Sequence, residues 1–185
     1  MKGYLLSIWN ILDPLYFSCT RLMYLPTKEA DNIFRVRLTR YKGRDVMLSD
    51  GTQIKKNDML VKIHLHNVRL LNELKHVHSE IKKARLIYQR VQRSLPAIER
   101  YIRDHEYSNE IRGIIGITSL NRGCERLGFE VIAISHPVYK WFKWISHLPI
   151  MFLSTTKPAF KKIGKLPASS YLFMSKDKLS SMHKT

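Results

Sequence analysis

The stretch Asn32-Ile33-Phe34-Arg35-Val36-Arg37-Leu38-Thr39-Arg40-Tyr41 decides the fold. Phe34, Val36 and Leu38 share one side of an extended chain, and Arg35, Arg37, Thr39 and Tyr41 share the other. That period of two predicts a half-buried strand with an arginine face. The pattern returns downstream, where Met59, Val61, Ile63 and Leu65 oppose Leu60, Lys62, His64 and His66. Between the two runs, Lys42-Gly43 turns the chain and Val46-Met47-Leu48 reads as a short strand. Asp50-Gly51 ahead of Thr52-Gln53-Ile54 carries a hairpin signal. Residues 33–66 are therefore expected to form an antiparallel meander.

The period then lengthens. Leu70, Leu71 and Leu74 begin an apolar stripe, and Val77, Ile81, Ala84, Tyr88, Val91, Leu95, Ile98 and Ile102 continue it at alternating steps of four and three. This predicts one long amphipathic helix, or two, packed on the sheet, with a dimeric coiled coil as the alternative. Lys82, Lys83, Arg85, Arg90, Arg93, Arg100 and Arg103 occupy its other faces. Pro96 is expected to break or kink the run, with Ser94 capping a second helix. Farther on, 112–118 reads as a buried strand, 120–127 as a short helix stopped by Gly128, and 129–134 as another strand. Residues 138–148 read as an aromatic helix, 150–153 as a strand candidate, 154–170 as a loop, and Tyr171–Met174 as a last apolar element before a polar tail. The order gives an α+β fold: an antiparallel strand meander, a long amphipathic helix, then a βαβ-like C-terminal half on the same core.

Charge bounds the partner. The 185 residues carry 32 Lys+Arg against 15 Asp+Glu, a net +17, while 44% are apolar and regularly patterned. The chain is therefore a folded domain whose field draws polyanions and anionic membranes, not a basic disordered tail. From Val131 onward nine lysines face one acid, Asp177. Cys19 and Cys124 lie far apart with no metal spacing, as expected of reduced thiols in the cytoplasm. Residues 1–25 form an apolar N-terminal segment expected to be helical. It reads as a helix pair closing the core, as an interfacial anchor with Tyr4, Trp9, Tyr16 and Tyr24 at headgroup level, or, least in keeping with Asp13-Pro14 at its centre, as a spanning helix. A single domain over 32–180 follows.

No defensible catalytic set emerges, and no cofactor is implied. His64 and His66 sit two apart on a strand, and an HxH pair holds a metal only with a third ligand; Asp58, His76 and His78 are nearest in sequence. The glycines of 112–123 lack GxGxxG and P-loop spacing, leaving a phosphate cradle as the weaker reading beside close strand–helix packing. Glu125 to Glu130 is similar to a short stretch of acetyltransferases, without their pyrophosphate signature. Two features fit binding better. Arg35, Arg37 and Arg40 beside Tyr41 are anion-binding candidates suited to a nucleic-acid strand. Trp9, Lys140, Trp141, Lys143 and Trp144 are membrane-contact candidates, because Trp, Phe and Lys interleave as in an interfacial anchor.

Several stretches together resemble the YkoP-like family over most of 32–180. They are residues 32–43, Leu48-Ser49-Asp50-Gly51 with Lys56-Asn57-Asp58, residues 62–67, residues 116–120 with 125–129, and Leu166-Pro167 with Ser175. The resemblance implies a domain found alone or attached to polysaccharide deacetylase domains, and so a link to envelope polysaccharide metabolism and its enzymes. It carries over no catalytic residue, since the metal-binding Asp-Asp and His-x-x-x-His set of deacetylases does not occur in this sequence. The expectation is a basic, non-catalytic accessory protein, cytoplasmic and peripheral to a membrane. A nucleic-acid-binding module is the first alternative. A small-molecule transferase, with a deep pocket near His64 and Thr118, is the second.

Overall fold

The computed structural model describes residues 22–25, 32–118, 123–134 and 170–183. Most of the N-terminal segment, the aromatic helix at 138–148, the strand candidate at 150–153 and all but the last residue of the 154–170 loop lie outside them.

The chain runs β1 (Met23–Tyr24), β2 (Phe34–Arg40), β3 (Val46–Met47), β4 (Gln53–Ile54), β5 (Met59–Leu65), α1 (Asn67–Leu74), α2 (Glu80–Asp104) and β6 (Ile111–Thr118). A 3-10 turn (Glu125–Leu127), β7 (Glu130–Ala133), β8 (Ser170–Ser175) and α3 (Lys176–His183) complete it. Six strands form one mixed sheet in the order β1-β2-β5-β6-β8-β7, and β3-β4 form a second, two-stranded sheet. The fold is α+β, as its element order requires. Within residues 33–66, β2 pairs antiparallel with β5 along its whole length, from Phe34 opposite Leu65 to Arg40 opposite Met59, and β3 and β4 pair only with each other, as a hairpin set between them in sequence. The β5-α2-β6 crossover makes the sheet's parallel pair, the arrangement a long helical connection permits. β8 inserts between β6 and β7, antiparallel to both. β6 and β7 are therefore parallel across it, and of the helix expected over 120–127 the described residues show only the 3-10 turn Glu125–Leu127.

Alternation assigns the two sheet faces. Phe34, Val36, Val61, Ile63, Ile114, Leu172 and Met174 bury one face against Leu95, Ile98 and Ile102 of α2, Leu127 of the 3-10 turn and Leu179 of α3. The other face holds Leu60, Ile115 and Phe173, covered by Tyr41, Leu48 and Ile54 from the hairpin region. Leu25, just after β1, joins the main core, which ties the end of the N-terminal segment to the sheet.

α2 is a single helix, contrary to the expected break. Its cap is Ser79, whose Oγ accepts the Lys82 N–H at 3.4 Å, and Glu80 and Arg103 suit the helix dipole at its two ends. Pro96 lies inside it. An internal proline costs ~3 kcal/mol, but Leu95, Ile98 and Ile102 each contribute ~1.5–3 kcal/mol by burial, which outweighs it. Ser94 caps nothing: it is buried, donates its hydroxyl to the Arg90 carbonyl at 2.8 Å and accepts the Ile33 N–H at 3.2 Å, fastening helix to sheet. The expected polar tail is α3. Ser175 accepts the Lys178 N–H at 3.0 Å at its start, and Leu179 is fully buried. Gly128 ends the 3-10 turn at φ 89, and a side chain there would also meet Met182 Sδ at 2.6 Å. Among the described residues no helix is long and apolar enough to cross a membrane.

Candidate functional site

α2 presents its strongest charged surface opposite its core face. At 100° per residue, Lys82, Arg85, Arg93, Arg100 and Arg103 fall within roughly 80° of arc and span ~32 Å of helix. All five are exposed. Arg103 is held by Glu99 at 2.7 Å and by Asp104 at 3.5 Å. Among the described residues, Lys82, Arg85, Arg93 and Arg100 enter no ion pair. The acids near them are committed elsewhere: Glu73 joins α1 to α2 by accepting Arg90 Nε at 2.9 Å beside Arg69 at 3.5 Å, and Glu80 holds Lys83 at 3.0 Å. The apolar seam of α2 is buried only in its C-terminal half. Leu95, Ile98 and Ile102 lie in the core, while Ala84 is exposed and Ile81 is 82% exposed.

The second basic group lies on the sheet. β2 and β5 set Arg35 opposite His64 and Arg37 opposite Lys62. This is not a solvated arginine face. Arg35 is 3% exposed; its guanidinium donates to Tyr24 Oη at 2.6 Å and lies 4.9 Å from that ring's centroid. Arg37 is half-buried, and Arg35, Arg37, Lys62 and His64 are all engaged in contacts. Arg40 points to the opposite face at the far end of β2, where it donates to the Asn57 carbonyl at 3.2 Å. The structure therefore gathers Arg35 and Arg37 and separates Arg40 from them. Trp9, Lys140, Trp141, Lys143 and Trp144 lie outside the described residues.

The histidine pair divides as well. His64 stays on β5, while His66 leaves the strand to precede α1, with its ring against Tyr24 at 5.7 Å. Asp58 sits at the other end of β5, accepting the Lys55 N–H at 2.7 Å. Among the described residues no three His, Cys, Asp or Glu side chains gather as a metal site. A depression of about 470 Å³ lined by His66, Val68, Arg69, Asn72 and Glu73 lies along α1; neither His64 nor Thr118 lines it.

The remaining polar residues singled out by sequence hold the fold. Ser175 is buried and donates to Asp50 of the hairpin, and Ser49 is held through N–H and Oγ by Glu130 at 2.8 and 2.7 Å. Burial pushes the Asp50 carboxyl up, but the hydrogen bonds from Ser175 and Thr52 and the Lys178 charge outweigh it and leave it below its ordinary range. Burial, with the Glu125 charge, pushes the Cys124 thiol up, away from the reactive thiolate. Gly113 stands where the Met174 carbonyl passes too close for a side chain, and Gly116 leaves room for Ile63, so the glycines of β6 serve strand packing. Leu127 and Phe129 are core residues and Glu130 is the hairpin's partner, which accounts for the 125–130 stretch.

The YkoP domain matches residues 2–183, taking in the N-terminal segment as well. The chain is 52% identical over 179 residues to "Uncharacterized protein YkoP" of Bacillus subtilis (strain 168), covering 97% of this chain and 96% of that protein. No solved structure matches. The chain belongs to the YkoP domain family.

Proposed function

We propose that this chain is a non-catalytic accessory domain that docks peripherally on the anionic cytosolic face of a membrane and serves envelope polysaccharide metabolism. One observation carries the docking: among the described residues the acids beside the long helix are spent on internal contacts, and Lys82, Arg85, Arg93 and Arg100 form an exposed row that no acid pairs. Each Lys or Arg near an anionic leaflet contributes ~1 kcal/mol, so four together give useful affinity without a pocket. The structural duties of Ser94, Ser175, Asp50 and Glu130 support the non-catalytic part. The polysaccharide link rests on what the sequence resemblance implies, a domain that elsewhere is attached to polysaccharide deacetylase domains.

The test is co-sedimentation of the full chain with vesicles of phosphatidylcholine alone and with about a third phosphatidylglycerol. Recovery with the anionic vesicles that falls as salt rises is the expected result. Equal recovery with both compositions overturns electrostatic docking. Tighter binding to a duplex oligonucleotide at matched phosphate concentration transfers the reading to nucleic acid. For the polysaccharide link, deleting the gene should alter the acetyl content of envelope glycan, and an unchanged content removes that part.

A further inference from the structure

We infer that α2 is the element that meets the lipid, lying along the surface with Ile81 in the headgroup–acyl boundary and Lys82, Arg85, Arg93 and Arg100 on lipid phosphates. The inference rests on the membrane reading above and names its contact surface.

Ile81 is the reason to commit to lipid. It lies in the first turn of α2, next to Lys82 and one turn before Arg85, and is 82% exposed, the most exposed large apolar side chain among the described residues. An isoleucine left in water at the flank of a cationic row gains nothing from a phosphate backbone. A bilayer boundary takes both: apolar depth for Ile81 and phosphate for its neighbours. Spacing points the same way. From Lys82 to Arg85, Arg93 and Arg100 the steps are ~5, 12 and 10 Å, an irregular series that laterally mobile headgroups can follow and a fixed phosphate repeat cannot. The surface also has an end. Glu99 and Asp104 satisfy Arg103, so the attractive row stops at Arg100 and its apolar anchor is at the helix start.

The experiment uses the full chain and the same two vesicle types. One variant carries Lys82→Gln, Arg85→Gln, Arg93→Gln and Arg100→Gln. A control removes the same charge from exposed sites on the hairpin side, away from α2, with Lys42→Gln, Arg44→Gln, Lys55→Gln and Lys56→Gln. A third carries Ile81→Ser alone. All substitutions are at the surface, and circular dichroism confirms folding. At low salt the α2 variant should lose affinity for anionic vesicles by two to three decades, and the control by less than one. Ile81→Ser should weaken binding about ten-fold without changing its salt dependence. Wild-type binding with equal losses in the two charge variants overturns the assignment to α2 and leaves membrane docking standing. Wild-type affinity in Ile81→Ser overturns the apolar contact. If the wild type ignores anionic vesicles altogether, the membrane reading itself fails.

Discussion

Replacing Ser94 with alanine tests how the long helix is fixed to the sheet. Ser94 is 2% exposed, and its Oγ is the acceptor for the amide of Ile33, itself 0% exposed. Ser94→Ala removes that acceptor and leaves the Ile33 N–H without its only described partner. An unmet buried donor costs ~1–3 kcal/mol, while alanine regains ~0.5 kcal/mol through its better helix propensity. The net destabilisation should be ~1–2 kcal/mol, lowering the melting temperature by ~2–8 °C for a chain of this size. Urea unfolding followed by circular dichroism gives the free energy. Amide exchange gives the location: protection at Ile33 should fall more than at Val61 or Ile114 in the sheet centre. Unchanged stability with full protection at Ile33 would show that the Ser94 contact holds nothing, and the account of how α2 sits on the sheet would have to be redrawn.

Three further outcomes follow from the same geometry. Ser175→Ala removes the cap of α3 and the hydrogen bond to Asp50, costing ~2 kcal/mol; a double-mutant cycle with Asp50→Ala should show coupling, and strictly additive costs would dismiss the hairpin latch. Stability should fall on acidification: burial holds His183 below its ordinary pKa against a hydrogen bond to the Leu127 backbone, and Asp50 also lies below its ordinary value. Both are held deprotonated when folded, so the unfolded chain takes up protons first, beginning near pH ~6.5 for His183 and ~4 for Asp50. His183→Gln should flatten the first part of that slope, and a wild type whose stability is constant from neutral pH to mild acid contradicts the argument. Gly128→Ala should cost ~1–2 kcal/mol for its left-handed backbone plus a clash with Met182, whereas Gly51→Ala, at φ 83 in open space, should cost the backbone part alone; equal losses would remove the packing argument.

Much of the architecture was readable because it is local. Alternation placed β2 and β5, Asp50-Gly51 placed the hairpin, and the four-three spacing placed α2. What escaped depends on partners distant in sequence. Ser94 looks like a cap until Ile33, 61 residues away, arrives beside it. Pro96 looks like a break until three buried neighbours outweigh its cost. β8 enters between β6 and β7 from beyond residue 169, which no period can announce. α3 carries only a faint signal, Ser175 followed by Asp177 in the first turn, because Leu179 is its one buried side chain and gives little periodicity. Of the site, the helix cations were visible, but which of them lack acids was not, since pairing depends on which neighbours the fold supplies.

That distinction changes what the net charge means for docking. A total of +17 suggests a diffuse field in which any cation serves. The structure instead divides the cations by duty. Arg35 is buried beneath Tyr24, Arg90 ties α2 to α1, Lys83 answers Glu80, and Arg40 braces the turn at Asn57. Neutralising these would disturb the fold before it touched any partner. Only cations that are both exposed and unclaimed can be given to a surface without loss at home, and on α2 they form one row with an exposed isoleucine at its start. If docking follows that row, the salt dependence of binding reflects about four contacts and not the whole surplus, because distant exposed charges are screened over ~10 Å at moderate ionic strength. A salt slope that instead scaled with total charge, shared equally by the hairpin-side control, would return the protein to the diffuse picture.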